Sequence, residues 1–436
     1  MIGIFDGLLA EITEIEPVFQ IGRVAESGQS TFTVQGLPAA AMGDRVQVET
    51  GAGQLGGEII RLSPNGATIL PEDDPAGLTI GARVALLGPA TIAPDASWLG
   101  RIVDPMGRPL DGRPLMRGLH RRAMTGLPPP AACRRAMGDR LSTGIAVFDT
   151  LLPLVRGQRI GLFAGSGVGK SSLLARFARG LAADVAVIGL VGERGRELRE
   201  FTERVLGREG MARSVVVTAT SDQSPLMRRR CALSAMTVAE HFRDQGLHVL
   251  LLLDSVTRFA EAHREVALAA GESASLRGYP PSTSHAIMGL AERAGPGAGT
   301  AGDITAVLSV LVAGSDMEEP VADIIRGTLD GHVVLDRKIA ERGRYPAIDL
   351  LRSVSRSLPD AACPAENVLI GDARRMLGTY DRAEMMVQAG LYVPGTDAAV
   401  DRAIRLWSAL DGFLAEAAPA GGPSASFTRL QACLRG

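Results

Sequence analysis

The chain has 436 residues, a formal net charge of −2, and 46% hydrophobic against 22% charged residues. This composition is typical of a globular protein, and the length exceeds one ordinary domain of roughly 100 to 200 residues, so we expect three domains. No apolar run reaches the roughly 18 residues of a membrane-spanning helix. The first residues carry acids and no basic run, which disfavours a secretory signal and predicts a cytoplasmic protein.

The four cysteines lie far apart in the chain and form no CxxC pair. This spacing argues against a zinc site and against a disulfide framework. We therefore expect all four to be reduced packing residues.

Residues 1–95 are predicted to form a small N-terminal β-barrel domain. Short apolar stretches such as "GDRVQVET" and "GEIIRLSPNGATILP" alternate there with Gly, Pro and Asn-Gly turn signals, a pattern typical of barrel strands. Residues 1–100 carry twelve Asp and Glu residues against four Arg, a local charge of −8. Because such a domain repels a phosphate backbone, we expect no nucleic-acid partner.

Residues 96–360 are predicted to form a doubly wound α/β core with a mainly parallel sheet. From Arg159 onward, short apolar runs such as "RIGLFA", "SVVVTAT" and "HVLLLLDS" alternate with amphipathic segments. Nearly continuous apolar runs are typical of strands buried on both faces. Strand runs cease in residues 361–436, where we expect a C-terminal helical domain with "PAGGPSAS" as a linker before a last short helix.

The stretch "GLFAGSGVGKSS" predicts a phosphate-binding loop (P-loop), because it follows a strand and precedes a helix. Its glycines let backbone N–H groups turn toward phosphates, and the helix dipole adds positive potential there. Lys170, one of only two lysines, is expected to contact the β- and γ-phosphates of a nucleotide, with the Ser171 hydroxyl on Mg²⁺. The predicted nucleotide-binding residues of this loop are Ala164, Gly165, Ser166, Gly167, Val168, Gly169, Lys170, Ser171 and Ser172.

Two acids follow other core strands. Asp254 ends the run "HVLLLLDS", where a carboxylate can reach the magnesium ion of a P-loop. Glu193 follows the run in "GLVGERGRE", where a carboxylate can orient and polarise an attacking water. Glu197 is the neighbouring rival for that role, and on spacing alone a solvated acid in a charged loop explains Glu193 equally well.

Several longer motifs make the chain similar to the rotary F1-type ATPase subunits, and most closely to the ATPases of type III protein export. They include "ATSDQSPLMRRR", "LLLLDSVTRFAEAHRE", "GSDMEEPVAD" and "YPAIDLLRSVSR", and together they cover roughly residues 100 to 360. The resemblance implies a RecA/F1-like core. It also implies that Glu193 is the catalytic carboxylate, that Arg194 and Arg258 face the γ-phosphate, and that Tyr345 stacks on adenine. Arg356 resembles the arginine finger that enters a neighbouring subunit's site.

The resemblance further implies a Mg²⁺-dependent ATPase that works as a ring of six identical chains and energises protein export. "GLFAGSGVGKS" and "GERGRE" resemble the flagellar branch more than the injectisome branch. A rotary ATP synthase subunit and an RNA-directed hexameric translocase are two competing interpretations. The synthase subunit is disfavoured because the P-loop, Glu193 and Arg356 all occur in one polypeptide, and the translocase is disfavoured by the acidic N-terminal domain.

Several partners are also implied by the resemblance: a stator-like regulator at the N-terminal domain, a central-stalk-like coiled-coil protein, an export gate and chaperone–substrate complexes. The chain would then associate peripherally with the export apparatus at the inner membrane. The expected regulator dock consists of apolar residues at roughly helical spacing, although a mobile terminus or packing on the barrel explains them equally well. These residues are Ile4, Phe5, Leu8, Leu9 and Ile12. The segment after Ser282 is more polar than the family pattern.

Overall fold

The computed structural model of the protein describes residues 12, 19–51, 53–312 and 317–435. Of the expected regulator dock, residues 4, 5, 8 and 9 lie outside this part of the chain, and Ile12 is exposed. Three regions follow one another: an N-terminal barrel, a nucleotide-binding core and a C-terminal group of helices. The limits 1–95, 96–360 and 361–436 between them stay a prediction.

The N-terminal region is a closed antiparallel barrel with the strand order β1-β2-β5-β4-β3-β6. Its strands are β1 (Ile21–Ser27), β2 (Phe32–Gln35), β3 (Asp44–Thr50), β4 (Gly53–Ser63), β5 (Gly66–Pro71) and β6 (Arg83–Pro89). Buried and more accessible residues alternate along β3, as expected when one strand face points into the barrel. Val46, Val48, Ile59, Ile69 and Val84 form the centre of its apolar interior. The predicted barrel is therefore confirmed.

The core contains a mainly parallel sheet with the order β17-β16-β10-β15-β13-β11-β12-β8. The strands after the barrel are β7 (Thr91–Ile92), β8 (Arg101–Val103), β9 (Arg122–Ala123), β10 (Arg159–Ala164), β11 (Val185–Glu193), β12 (Ser214–Thr220), β13 (His248–Asp254), β14 (Gly295–Pro296), β15 (Asp303–Leu311), β16 (Gly331–Leu335) and β17 (Ile348–Ser355). β14 and the edge strand β17 pair antiparallel with their neighbours. The short pair β7 and β9 stands apart from this sheet. The sheet confirms the predicted α/β fold class.

Helices cover both faces of the core sheet and continue into the C-terminal region. They are α1 (Ala146–Asp149), α2 (Lys170–Gly180), α3 (Gly195–Glu200), α4 (Gly207–Ala212), α5 (Pro225–Asp244), α6 (Val256–Ala269), α7 (Ser282–Glu292), α8 (Pro320–Thr328), α9 (Arg337–Glu341), α10 (Pro364–Gln388), α11 (Ala398–Phe413) and α12 (Gly422–Arg435). One apolar cluster joins the sheet to α2 and the C-terminal helices. A second joins the opposite face to α5, α6 and α7. Both faces of the strands are thus buried, as their continuous apolar runs predict.

Two local expectations differ from the structure. The amphipathic segment 197–210 is interrupted by a π-helical turn at Phe201–Leu206, after which Gly207 has a φ of 67°. Part of the expected linker belongs to α12, which begins at Gly422. Pro423 is tolerated there because the first turn of a helix has no backbone acceptor for its missing N–H.

The expectation for the cysteines is correct for two of the four. Cys231 and Cys433 are buried, whereas Cys133 and Cys363 are exposed. Cys363 instead lies at the N-cap of α10.

In the part of the chain that the structure describes, no helix is both long and apolar enough to cross a membrane.

Buried ion pairs connect the barrel to the core. Arg230, in the first turns of α5, is 1% exposed. Its Nη2 donates to Glu58 Oε2 at 2.9 Å, and its Nη1 donates to Glu72. The adjacent Arg229 donates to the other oxygen of Glu58. Two barrel carboxylates are therefore neutralised by arginines of a core helix, which is the condition under which buried charges are tolerated.

Candidate active site

The predicted P-loop lies at the carboxyl end of a central strand. β10 is paired on one side with β15 and on the other with β16, and it leads into a turn that ends where α2 begins at Lys170. Gly167 and Gly169 have φ values of 78° and 87°, which side-chain-bearing residues rarely adopt. The backbone conformation thus explains the glycine at these two positions.

A cavity of about 940 Å³ opens above this loop. It is lined by every predicted loop residue except Val168, which is buried below the surface of the loop. Gly192 and Glu193, the last residues of β11, and the following Arg194 also line the cavity. The structure therefore brings together the P-loop and the "GER" motif, between which 19 residues lie in the sequence.

Lys170 lies between two carboxylates at the base of the cavity. Its Nζ donates a hydrogen bond to Asp254 Oδ1 and lies 4.0 Å from Glu193 Oε1. The Ser309 hydroxyl also donates to Asp254 Oδ1, at 2.7 Å. Asp254 is 3% exposed, so these bonds satisfy a carboxylate that burial would otherwise destabilise.

Glu193 has a proton affinity suited to acid–base chemistry near neutral pH. Burial, followed by a hydrogen bond with Glu197 and the charge of Asp254, raises the pKa of its carboxyl to about 7. The ammonium of Lys170 acts in the opposite direction on the same pKa. A carboxylate with such a pKa can accept a proton from water at physiological pH.

The oxygen donors next to Lys170 fit Mg²⁺, although Asp254 does not itself line the cavity. Ser171 lines the cavity and offers a hydroxyl oxygen, and Asp254 offers a carboxylate oxygen. Among the described residues, no group of three or more His, Cys, Asp or Glu side chains could hold a metal ion. A site with only a few protein ligands is suitable for magnesium, because this ion keeps several waters and binds substrate phosphates through its remaining coordination positions.

Arg194 and Arg258, which the resemblance assigns to the γ-phosphate, both line the cavity. Arg258 lies in the first turn of α6, where its Nη1 donates to Glu261 at 3.0 Å. Its Nε is buried and makes no hydrogen bond. Arg194 is largely exposed and lies 4.0 Å from Glu197, so its side chain can turn toward the cavity without breaking a strong contact.

Tyr345 lies against the P-loop although it does not line the cavity itself. A Cβ atom placed on Gly169 would be 3.1 Å from the Cδ1 of the tyrosine ring. The ring is half exposed, and its position just before β17 puts it at the same edge of the sheet as the P-loop. An exposed aromatic face beside a phosphate-binding loop is suited to stacking on a base.

Arg356 is remote from its own chain's P-loop. β17 runs antiparallel to β16, with Leu335 opposite Ile348 and Gly331 opposite Ser355. The P-loop follows Ala164, which pairs with Leu335. Arg356 therefore lies at the opposite end of the strands, where β16 begins, roughly 15 Å away from the P-loop end along this five-residue strand. It is exposed, and its Nη2 donates to the carbonyl of residue 326 at 3.3 Å.

The structure adds a residue that the sequence reasoning did not assign. Arg228 lines the cavity and donates to both carboxylate oxygens of Glu265 at 3.1 Å. A Cβ atom on Gly192 would lie 3.5 Å from its Cδ and 3.6 Å from the Cβ of Arg258. The signal was the triplet in "PLMRRR", but only the helix geometry separates Arg228 from Arg229 and Arg230, which face the barrel.

Comparisons with known proteins agree with this geometry. Residues 144–355 match the nucleotide-binding domain of the ATP synthase alpha/beta family, and residues 364–419 match the C-terminal domain of the type III secretion ATPase EscN. The chain is 44% identical over 418 residues to the flagellum-specific ATP synthase of Caulobacter vibrioides, with 94% of each chain covered.

Two solved structures have the same fold. One is the assembled ATPase EscN from the type III secretion system of enteropathogenic E. coli, with a TM-score of 0.88, 34% identity, and coverage of 95% of this chain and 100% of that chain. The other is the assembled EscN in complex with its central stalk EscO, with a TM-score of 0.85 and the same identity and coverage. The chain thus belongs to the family of flagellum-specific ATP synthases and type III secretion ATPases and is an ATP-hydrolysing enzyme.

Proposed function

We propose that this chain hydrolyses Mg²⁺-ATP as a ring of six identical subunits and thereby energises or primes protein export through a flagellar type III apparatus. The proposed ring rests on the position of Arg356, which lies at the end of the strands opposite to its own P-loop. An arginine finger in that position completes a neighbour's site. The flagellar assignment is supported by the Caulobacter relative and by the length over which it matches.

In the proposed reaction, Lys170 binds the β- and γ-phosphates, and Arg194 and Arg258 face the γ-phosphate from the opposite wall. Ser171 and Asp254 would hold Mg²⁺, which when bound would supply positive charge that neutralises the phosphates. Glu193 orients the attacking water and takes up its proton.

The remaining roles concern recognition and the transition state. The Tyr345 ring stacks on adenine, because it lies beside Gly169 with one face exposed. Arg356 from the adjacent subunit meets charge that develops on the transferred phosphoryl group, so it contributes to turnover more than to substrate binding.

We also propose the export partners implied by the family. A central-stalk-like coiled-coil protein is supported by the complex of EscN with EscO. A stator-like regulator at the N-terminal domain, the export gate and chaperone–substrate complexes are the other partners, with no nucleic acid among them. The enzyme works in the cytoplasm, peripherally associated with the export apparatus at the inner membrane.

Protein concentration tests the ring. Turnover per chain should rise steeply as the enzyme is concentrated, because a site without its neighbour's arginine is incomplete. Equal activity per chain in a sample held monomeric, checked by light scattering, would contradict the ring.

The flagellar role is tested by introducing Lys170→Ala into the bacterium's own gene and measuring flagellar filament assembly. Normal filaments alongside defective secretion of other proteins would assign the chain to an injectisome instead.

A further inference from the structure

Glu193 follows a β-bulge at the end of β11. The parallel pairing of this strand with β12 is regular up to Val191 and resumes at Glu193 after a shift in register. Gly192 is the extra residue, and its φ is 69°. A bulge leaves one residue unpaired and changes the direction of the side chains around it. The direction of the Glu193 side chain therefore depends on what holds Gly192 in place.

The side chains of two arginines pack against this bulge. A Cβ atom added to Gly192 would lie 3.5 Å from the Cδ of Arg228 and 3.6 Å from both the Cβ and the Cδ of Arg258. These are ordinary van der Waals distances. The side chain of Arg228 is only 15% exposed. The aliphatic stems of the two arginines thus cover the bulge on the side toward which a side chain would project.

The guanidinium of Arg228 is fixed by two further segments of the core. Its Nε donates to the carbonyl of Gln223 at 3.1 Å, and its Nη2 donates to both carboxylate oxygens of Glu265 at 3.1 Å. Gln223 belongs to the loop between β12 and α5, whereas Glu265 belongs to α6. Because the donors of a guanidinium are arranged in a rigid fork, these bonds also fix the direction of the stem.

The loop that contains Gln223 also contacts the backbone of Glu193. The amide of Ser221 donates to the carbonyl of Glu193 at 3.1 Å. Arg228 therefore supports the Glu193 backbone from both sides. It packs against Gly192 on the N-terminal side, and it holds residues 221–223, which bind the carbonyl on the C-terminal side.

We propose that Arg228 is a positioning residue that holds Gly192 and Glu193 so that the Glu193 carboxylate faces the attacking water. This inference rests on the proposed role of Glu193 as the base. A misplacement of about 1 Å in an active site can reduce turnover about a hundredfold. Nucleotide binding depends instead on Lys170 and the backbone of the P-loop. Loss of Arg228 should therefore affect kcat more than nucleotide affinity.

Two substitutions of Arg228 test the positioning role. Arg228→Ala removes the stem and the hydrogen bonds, so kcat should fall at least about tenfold while nucleotide affinity stays within about threefold. Arg228→Met keeps most of the stem and should recover at least about threefold of the lost kcat. The control Arg199→Ala removes an arginine of α3 that pairs with Glu203 at 2.9 Å and does not line the cavity. Its kcat should stay within about twofold of the wild type.

Combining Arg228→Ala with Glu193→Gln separates positioning from direct phosphate binding. Because a positioning residue acts through Glu193, the double variant should release radiolabelled phosphate no more slowly than Glu193→Gln alone. Additive losses would overturn the proposal, because Arg228 would then contribute independently of Glu193. An unchanged kcat in Arg228→Ala, or a loss of nucleotide affinity as large as the loss of kcat, would also overturn it. Near-wild-type turnover of Glu193→Gln would instead refute the assignment of the base, and this inference with it.

Discussion

Replacing Arg356 by Ala should abolish most ATP turnover without preventing nucleotide binding. Because the arginine lies at the edge of the sheet away from its own P-loop, its loss leaves the cavity around Lys170 intact. An arginine finger contributes about 10³-fold or more to turnover, which corresponds to at least ~4 kcal/mol of transition-state stabilisation. We therefore expect kcat to fall by that factor while nucleotide affinity and ring assembly stay within about threefold.

Arg352→Ala is the matched control. Arg352 lies on the edge strand β17, four residues before Arg356, which directly follows that strand, and it is also exposed. Its substitution tests whether any loss of positive charge from this strand reduces turnover. We expect Arg352→Ala to retain activity within about threefold of the wild type.

Mixing two inactive variants tests whether the finger acts between chains. In an equimolar mixture of Arg356→Ala and Glu193→Gln chains, a competent interface needs an intact Glu193 on one side and an intact Arg356 on the other. Random assembly with heterologous interfaces gives about one quarter competent interfaces, so activity should return to about a quarter of wild type if sites fire independently. Assembly of mixed rings is verified by differently tagged chains, and turnover by phosphate release.

One result would refute this reasoning outright, and a second would require a further experiment. Full activity of the Arg356→Ala chain would show that the residue is not a finger. Absence of rescue in verified mixed rings would mean either that the arginine acts in its own chain or that every site must be competent at once. A tethered dimer with one complete interface separates these cases, because activity there excludes action within one chain.

The other predictions concern the P-loop and its base. Lys170→Ala should weaken nucleotide binding sharply and abolish hydrolysis, and near-normal affinity in a fluorescent-nucleotide titration would contradict its role. Glu193→Gln should keep binding but lose turnover. In the wild type, kcat/KM should fall about tenfold per pH unit below the Glu193 pKa of about 7 and level off above it. The reason is that the ionised carboxylate is the active form. A profile that is flat from pH 5 to 8 would exclude Glu193 as the base. Gly169→Ala should weaken nucleotide binding more than Gly167→Ala, because only the former crowds Tyr345, and equal losses would mean that backbone strain alone matters.

The sequence predicted the elements whose signal is local. The apolar run ending at Ala164 is a strand, and "GSGVGK" leads into a helix, because strand burial and the P-loop conformation depend on neighbouring residues. The π-helical turn at Phe201–Leu206 and the start of α12 at Gly422 have no such signal in the neighbouring residues. The position of Arg228 in the cavity depends on the rotation of α5, and the spacing of arginines in a triplet does not specify it.

That same triplet has a mechanical consequence for the enzyme. Arg228 borders the nucleotide cavity, and the next two residues along the backbone hold Glu58 and Glu72 of the barrel. The first turns of α5 are therefore constrained. A rotation that withdrew Arg228 from the cavity would also strain three buried ion pairs, and each broken pair would leave a buried charge without its partner. Nucleotide-driven motion must then carry barrel and helix together, and the flexibility needed for a catalytic cycle has to come from elsewhere in the core.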